Sequence, residues 1–133
     1  MKYKKFSQYY KRVMNIVGAS EASNGWAAIQ MEINGKLAGV IKADPLVFHN
    51  ADTLRFKEES RIEDGNIITI KYAFHFEKAD GTYFFRYDKD SEHAVPIVHE
   101  ECHLHVNAKS PRFKTHSTSF IEIFNFIVMT FQT

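Results

Sequence analysis

Apolar residues near the start of the chain recur at the spacing of a helix. They lie three or four residues apart, so they fall on one face of a helix whose other face is polar. The residues are Phe6, Tyr9, Tyr10, Val13, Ile16 and Val17. The pattern predicts an amphipathic helix from about residue 4 to residue 17, and Gly18 is placed to end it.

From Trp26 onward the pattern changes to short apolar runs and alternating positions, which are typical of strands. Asn34-Gly35 between two such runs predicts a hairpin, and Asp44-Pro45 predicts a break. Strands are predicted within 26–33, 36–41, 46–48, 53–62, 68–76, 83–87 and 102–106. Because turn signals at 49–52, 64–65 and 80–81 separate neighbouring strands, the sheet is expected to be an antiparallel meander.

The C-terminal segment is apolar on nearly every side. Ser119 stands three residues before Glu122, a capping-box pattern that predicts the start of a helix. The helix that follows, as far as Phe131, is expected to be buried all round. It is interpreted either as a core helix inside a curved sheet or as the interface of a homodimer or of a partner complex.

These elements predict one α+β domain over residues 1–133. Its antiparallel β-meander sheet is expected to be flanked by the N-terminal amphipathic helix and the apolar C-terminal helix. The net charge of +1 argues against strong overall attraction to nucleic acid but leaves a local basic patch open. Cys102 is the only cysteine, so no intrachain disulfide is expected. Because no apolar run reaches the about 20 residues of a membrane span and no secretory signal is recognised, a cytoplasmic protein is expected.

Candidate chemistry is concentrated in the histidines. Five of the seven lie between His93 and His116, in a stretch that follows an arginine and an aspartate at Arg86 and Asp88. Imidazole has an unperturbed pKa of about 6.5, so it exchanges protons readily near neutral pH. This combination suits proton transfer, phosphate binding or metal ligation.

Strand alternation sorts these residues into a smaller group. If Asp80-Gly81 is the centre of an even-length hairpin loop, His75 lies opposite Arg86 on the polar face of the sheet, and Asp88 shares that face. His103 and His105 alternate with Cys102, Leu104 and Val106, so they are also assigned to the polar face. Tyr87 falls on the apolar face. The predicted site is therefore His75, Arg86, Asp88, His103 and His105.

Two chemistries fit this group. In metal-free cleavage of RNA, one imidazole accepts the 2′-hydroxyl proton, another protonates the leaving oxygen, and Arg86 balances charge on the phosphate. Tyr87 could assist by stacking on a base or donating a hydrogen bond. In a metal-dependent hydrolase, His103 and His105 would be paired ligands, completed by His93, His99 or a carboxylate. A third interpretation is a non-enzymatic module that binds a partner through the C-terminal helix.

The order of motifs resembles the TumE-type toxins of prokaryotic toxin–antitoxin pairs. The matching segments are Y-A-F-H-F at 72–76, F-R-Y-D at 85–88, His93, and H-L-H at 103–105. Lys89 stands where that family often has asparagine, and its usual histidine cluster is thinned to a single His93. The resemblance implies growth inhibition that an antitoxin encoded alongside neutralises.

Together these observations predict a toxin that acts as a metal-independent ribonuclease, with RNA as substrate and an antitoxin as partner. No cofactor is expected, although a divalent metal stays open as the alternative. Asp88 is expected to orient an imidazole. Tyr87 and His93 are secondary candidates.

Overall fold

The computed structural model describes residues 2–90, 102–107, 113–114 and 117–132, with the backbone alone at 103, 113 and 114. Along the chain, the strands lie between an N-terminal and a C-terminal helix. The elements are α1 Phe6–Ala19, a 3₁₀ turn Gly25–Ala28, β1 Gln30–Ile33, β2 Ala38–Val47, β3 Thr53–Glu63, β4 Asn66–Glu77, β5 Phe84–Asp90, β6 Cys102–Val106, β7 Phe113–Lys114 and α2 Phe120–Phe131.

The described strands form one antiparallel sheet in which each strand pairs with the next along the chain. The prediction of an α+β fold with a β-meander between two helices is therefore confirmed. No helix in the described part of the chain has the length and hydropathy to cross a membrane.

Both helices pack on the same face of the sheet, which we call the core face. The Phe56 and Phe120 rings lie 4.4 Å apart, and Phe48 stacks on Phe124 at 5.9 Å. Gly39 leaves room for Phe6 of α1, because a Cβ at Gly39 would lie 2.5 Å from that ring. The opposite surface of the sheet, which we call the polar face, carries most of the charged residues of the strands.

α1 differs in its bounds from the sequence prediction. It runs through Gly18 to Ala19, and the N–H of Ser20 donates to the carbonyl of Val17. The expectation that Gly18 ends the helix is wrong, because the chain leaves the helix in an extended conformation that needs no glycine.

The start of the sheet also differs. Residues 25–28 form a 3₁₀ turn and β1 begins only at Gln30, so the expectation of a strand from Trp26 is wrong. The Asn34-Gly35 hairpin is confirmed by the pairing of Ile33 with Gly39. Gly35 takes a positive φ of 80°, a conformation that glycine adopts without strain.

Asp44-Pro45 lies inside β2 instead of breaking it. The register of β2 against β3 shifts between Ala43 and Leu46, so a β-bulge accommodates the two residues there. A bulge is one of the few places in a sheet where proline fits, because the ladder loses a hydrogen bond there anyway. The separate strand that was predicted at 46–48 is the continuation of β2 to Val47.

α2 begins as the capping pattern predicts. The Ser119 side chain accepts a hydrogen bond from the N–H of Glu122 at 3.4 Å. The expectation of burial all round is wrong, because Phe126 is 44% exposed and Met129 is 76% exposed. α2 buries one face of the helix, and the other is open to solvent.

Candidate active site

The β4–β5 hairpin places His75 directly opposite Arg86, as the alternation predicts. Its loop has four residues, 79–82, and the N–H of Lys78 donates to the carbonyl of Tyr83 at 3.0 Å. A loop of even length about Asp80-Gly81 keeps the predicted register.

β6 pairs with the other edge of β5 and adds the His103 and His105 positions to the predicted site. His105 pairs with Arg86 and His103 pairs with Asp88. His75, Arg86 and His105 thus form one row across three neighbouring strands. For His103 the backbone position, on the neighbouring row, is what the structure describes.

Asp88 lies at the centre of the closest charged contacts. The Arg86 Nε lies 3.1 Å from Asp88 Oδ1 and 2.9 Å from Oδ2, and the His105 Nε2 lies 3.8 Å from Oδ2. Asp88 and His105 are each 9% exposed, whereas the Arg86 side chain is 49% exposed. The carboxylate therefore joins a buried imidazole to a guanidinium that reaches solvent.

His75 is half-buried on the same face. Its ring contacts Phe84, with 5.6 Å between the ring centroids. On its other side, β3 places Arg55 opposite His75. An imidazole between two arginine positions and beside an aromatic ring suits the recognition of a phosphate with an attached base.

The remaining predicted residues lie elsewhere. Tyr87 opposes Phe74 and packs against the core, where burial raises its pKa. Cys102 lies beside Tyr72, on the core side of the sheet, as the alternation predicts. His93 and His99 lie outside the described residues.

A cavity of about 780 Å³ opens on the polar face next to His75 and Arg86. Four of its lining residues are cationic, and three of these were not predicted as site residues. Its lining is Ala28, Gln30, Lys42, Ala43, Asp44, Pro45, Arg55, Phe56, Lys57, Ala73, His75 and Arg86. The cavity continues the predicted site toward β2 and β3.

The alternation of residues within β3 already indicated that Arg55 and Lys57 belong to the polar face. Leu54 and Phe56 alternate with Arg55 and Lys57, so the two cations share the face opposite the core. What sequence reasoning lacked was the register between β3 and β4, which decides whether Arg55 lies beside His75.

A second buried carboxylate, Glu58, lies on the core face and is fully buried. It accepts hydrogen bonds from Tyr9 Oη at 2.5 Å, Ser60 Oγ at 3.0 Å and the N–H of Phe120 at 2.6 Å. Burial raises the pKa of Glu58, and burial together with the neighbouring Glu58 raises the pKa of Tyr9. This cluster joins α1, β3 and the start of α2, and it is separate from the polar face.

Among the described side chains, no group of three His, Cys, Asp or Glu could hold a metal ion. The predicted ligands His93 and His99 lie outside this part of the chain.

Fold and site together define a small α+β protein with a histidine–arginine–histidine row, and an aspartate beside it, on the open face of a meander sheet. The family model described as Toxin TumE matches residues 19–130, which is most of the chain. The chain belongs to the TumE toxin family and is the toxin component of a toxin–antitoxin system, with an antitoxin as its partner. Comparisons with curated proteins and with solved structures give no significant match.

Proposed function

We propose that this toxin cleaves RNA phosphodiester bonds on the polar face of its sheet without a metal ion, acting in the cytoplasm. The observation that carries the proposal is the row of His75, Arg86 and His105, with Asp88 in contact with two of its members. Two imidazoles that flank one guanidinium are the groups that such a cleavage needs.

Arg86 would hold the scissile phosphate. Asp88 contacts its Nε, so further N–H donors of the guanidinium remain for phosphate oxygens. A guanidinium can donate two parallel hydrogen bonds to two phosphate oxygens. These bonds stabilise the negative charge that develops on the phosphate in the transition state.

His75 and His105 would share the proton transfers. One accepts the 2′-hydroxyl proton as the 2′-oxygen forms a bond to phosphorus, and the other donates a proton to the 5′-oxygen as its bond to phosphorus breaks. The products are a 2′,3′-cyclic phosphate and a free 5′-hydroxyl. Asp88 acts as a positioning residue, because a carboxylate near His105 Nε2 stabilises the protonated imidazole.

His103 has a supporting place in this proposal. Its backbone pairs with Asp88 on β5, next to the pair of His105 with Arg86, and it therefore stays a supporting candidate. Tyr87 takes no part, because it packs on the core side.

Growth inhibition tests the proposal in cells. Induced expression of Arg86→Ala and of His105→Ala should relieve the inhibition, whereas Arg61→Ala should not, because Arg61 is an exposed arginine paired with Glu63 at 2.9 Å. All variants should accumulate to similar levels and bind the antitoxin. Full inhibition by the first two variants would contradict the proposed site.

The competing function is inhibition by binding alone through α2. The exposed Phe126 and Met129 support it, because they interrupt an otherwise polar outer helix surface. A homodimer through the same helix is a form of this proposal. It predicts that changes on α2 abolish inhibition while Arg86→Ala leaves it intact.

A further inference from the structure

The two rows of side chains on the polar face extend beyond the proposed catalytic group. The first row is Arg55, His75, Arg86 and His105. The second row, two residues away along the strands, is Gln30, Lys42, Lys57, Ala73 and Asp88, and the backbone of His103 pairs with the last of these. Residues two apart on a strand share a face and lie about 6.6 Å apart, so a ligand on one row also reaches the other.

Ala73 makes a gap in the second row. It lies between Lys57 and Asp88 on the neighbouring strands, and its methyl group fills little of the space that longer side chains would occupy. Ala73 and Lys57 both line the 780 Å³ cavity. The cavity is therefore open beside His75, and the charged side chains around it are mainly cationic, with Asp44, which pairs with Arg55 at 2.7 Å, as the one carboxylate of the lining.

Lys42 and Lys57 lie directly opposite each other on β2 and β3. Two like charges at directly opposed positions of a sheet destabilise it, and an anion between them would remove that cost. Glu32 offsets part of this cost, since it forms an exposed ion pair with Lys42 at 2.9 Å, and the hydrogen bond from Lys42 together with the charge of Lys57 lowers the pKa of Glu32. Lys57 forms no ion pair of its own within the described chain. Both lysines line the cavity and face the same open side.

We propose that Lys42 and Lys57 bind a second phosphate of a single-stranded RNA, and that the cavity over Ala73 takes the nucleotide between this phosphate and the one at Arg86. The inference rests on the proposed function for its choice of ligand. The RNA would therefore run across the sheet from β5 toward β2. The toxin would bind at least two consecutive phosphates of this strand.

Binding to an uncleavable RNA tests this assignment. The ligand is a labelled oligoribonucleotide with methylated 2′-hydroxyls, which binds but lacks the attacking group. Lys42→Gln/Lys57→Gln should weaken the affinity roughly fivefold near 0.1 M salt and lower the salt slope by about 0.7, since the pair holds one phosphate and one lost phosphate contact on a single strand is worth about 0.7. The control is Lys11→Gln/Lys36→Gln, which removes the same charge from two exposed lysines outside the cavity and should change neither value beyond the effect of net charge.

A second variant should act in the opposite direction. Glu32→Gln removes the carboxylate that competes for Lys42, so the affinity should rise by up to about fivefold, the worth of one contact. Glu21→Gln, in the loop after α1, removes the same charge away from the cavity and should leave the affinity close to that of the wild type.

The outcomes separate this inference from the proposed chemistry. An RNA-cleaving wild type whose lysine variant keeps full affinity and salt slope would overturn the inference and leave the ribonuclease proposal standing. Lysine-dependent binding without cleavage of ordinary RNA would support the inference and contradict the chemistry. If the lysine changes weaken only the binding of the antitoxin, the surface belongs to that protein and the inference is wrong.

Discussion

The sheet carries a buried carboxylate on each face, and the two have different surroundings. Glu58 on the core face is fully buried and receives hydrogen bonds from three uncharged donors. Asp88 on the polar face lies at the rim of an open surface between Arg86 and His105. A carboxylate that accepts hydrogen bonds from neutral donors connects structural elements, whereas one between a guanidinium and an imidazole at a surface positions groups that meet a ligand.

The largest expected effect is on folding, from Glu58→Ala. The change leaves Tyr9 Oη, Ser60 Oγ and the N–H of Phe120 without their acceptor in the core, and each buried unsatisfied group costs about 1–3 kcal/mol. We expect a loss of stability of at least about 3 kcal/mol in chemical denaturation. Glu59→Ala, one residue along the same strand, should change stability by less than about 0.5 kcal/mol. Equal effects of the two changes would contradict a structural role for Glu58.

Asp88→Asn should affect activity instead. The amide keeps the size of the side chain but removes the charge beside Arg86 and His105, so we expect RNA cleavage to fall roughly 10²-fold. Thermal unfolding should stay close to that of the wild type. Asp90→Asn makes the same change two residues along β5, beside Lys71 at 3.9 Å, and should retain most of the activity. A variant of Asp88 that unfolds while Asp90→Asn does not would show that Asp88 is structural, and the contrast with Glu58 would disappear.

A smaller effect is expected in the pH dependence of the free energy of unfolding. Because burial raises the pKa of Glu58 above the unfolded value of about 4.3, the folded protein retains a proton that the unfolded chain releases. The stability that this group contributes is therefore present at low pH and is lost as pH rises from about 4.3 through the folded pKa. Glu58→Gln should flatten this part of the stability curve. An unchanged slope in the variant would show that Glu58 is already ionised in the folded state.

The smallest expected change is at Met129. Met129→Lys should alter the free energy of unfolding by less than about 0.5 kcal/mol, because the side chain is already 76% exposed. If α2 pairs with a second copy, the same change should shift the sedimentation of the protein from dimer to monomer. Unchanged sedimentation of a dimeric protein would exclude this face as the contact.

Much of the polar face could be predicted because local turn chemistry sets the β4–β5 register. Alternation placed Phe74, Phe76 and Phe85 on one side, and an even-length loop about Asp80-Gly81 then brought His75 to Arg86. The Ser119 cap of α2, and the assignment of His105 and Cys102 to opposite faces of β6, were predicted in the same way. These predictions needed only neighbours in sequence and the two-residue period of a strand.

The β3–β4 pairing shows why the rest was missed. Symmetric pairing about the Asp64-Gly65 turn would place Arg55 opposite Phe74. The register shifts at Glu59 and Ser60, where Ile70 is the extra residue on β4, and Arg55 then lies opposite His75. A one-residue shift moves every later side chain to the other face. The cavity depends on this bulge and on the one at Asp44-Pro45, and neither carries a local turn signal that specifies its register.

The row of His75, Arg86 and His105 is proposed to cleave RNA without a metal. Purified wild-type toxin and its Arg86→Ala variant, incubated with RNA in excess chelator, test it most directly. We expect fragments that end in 2′,3′-cyclic phosphate and 5′-hydroxyl groups, and a cleavage rate about 10²- to 10³-fold lower in the folded variant. No cleavage by the wild type in chelator, or equal cleavage by the two proteins, would contradict it.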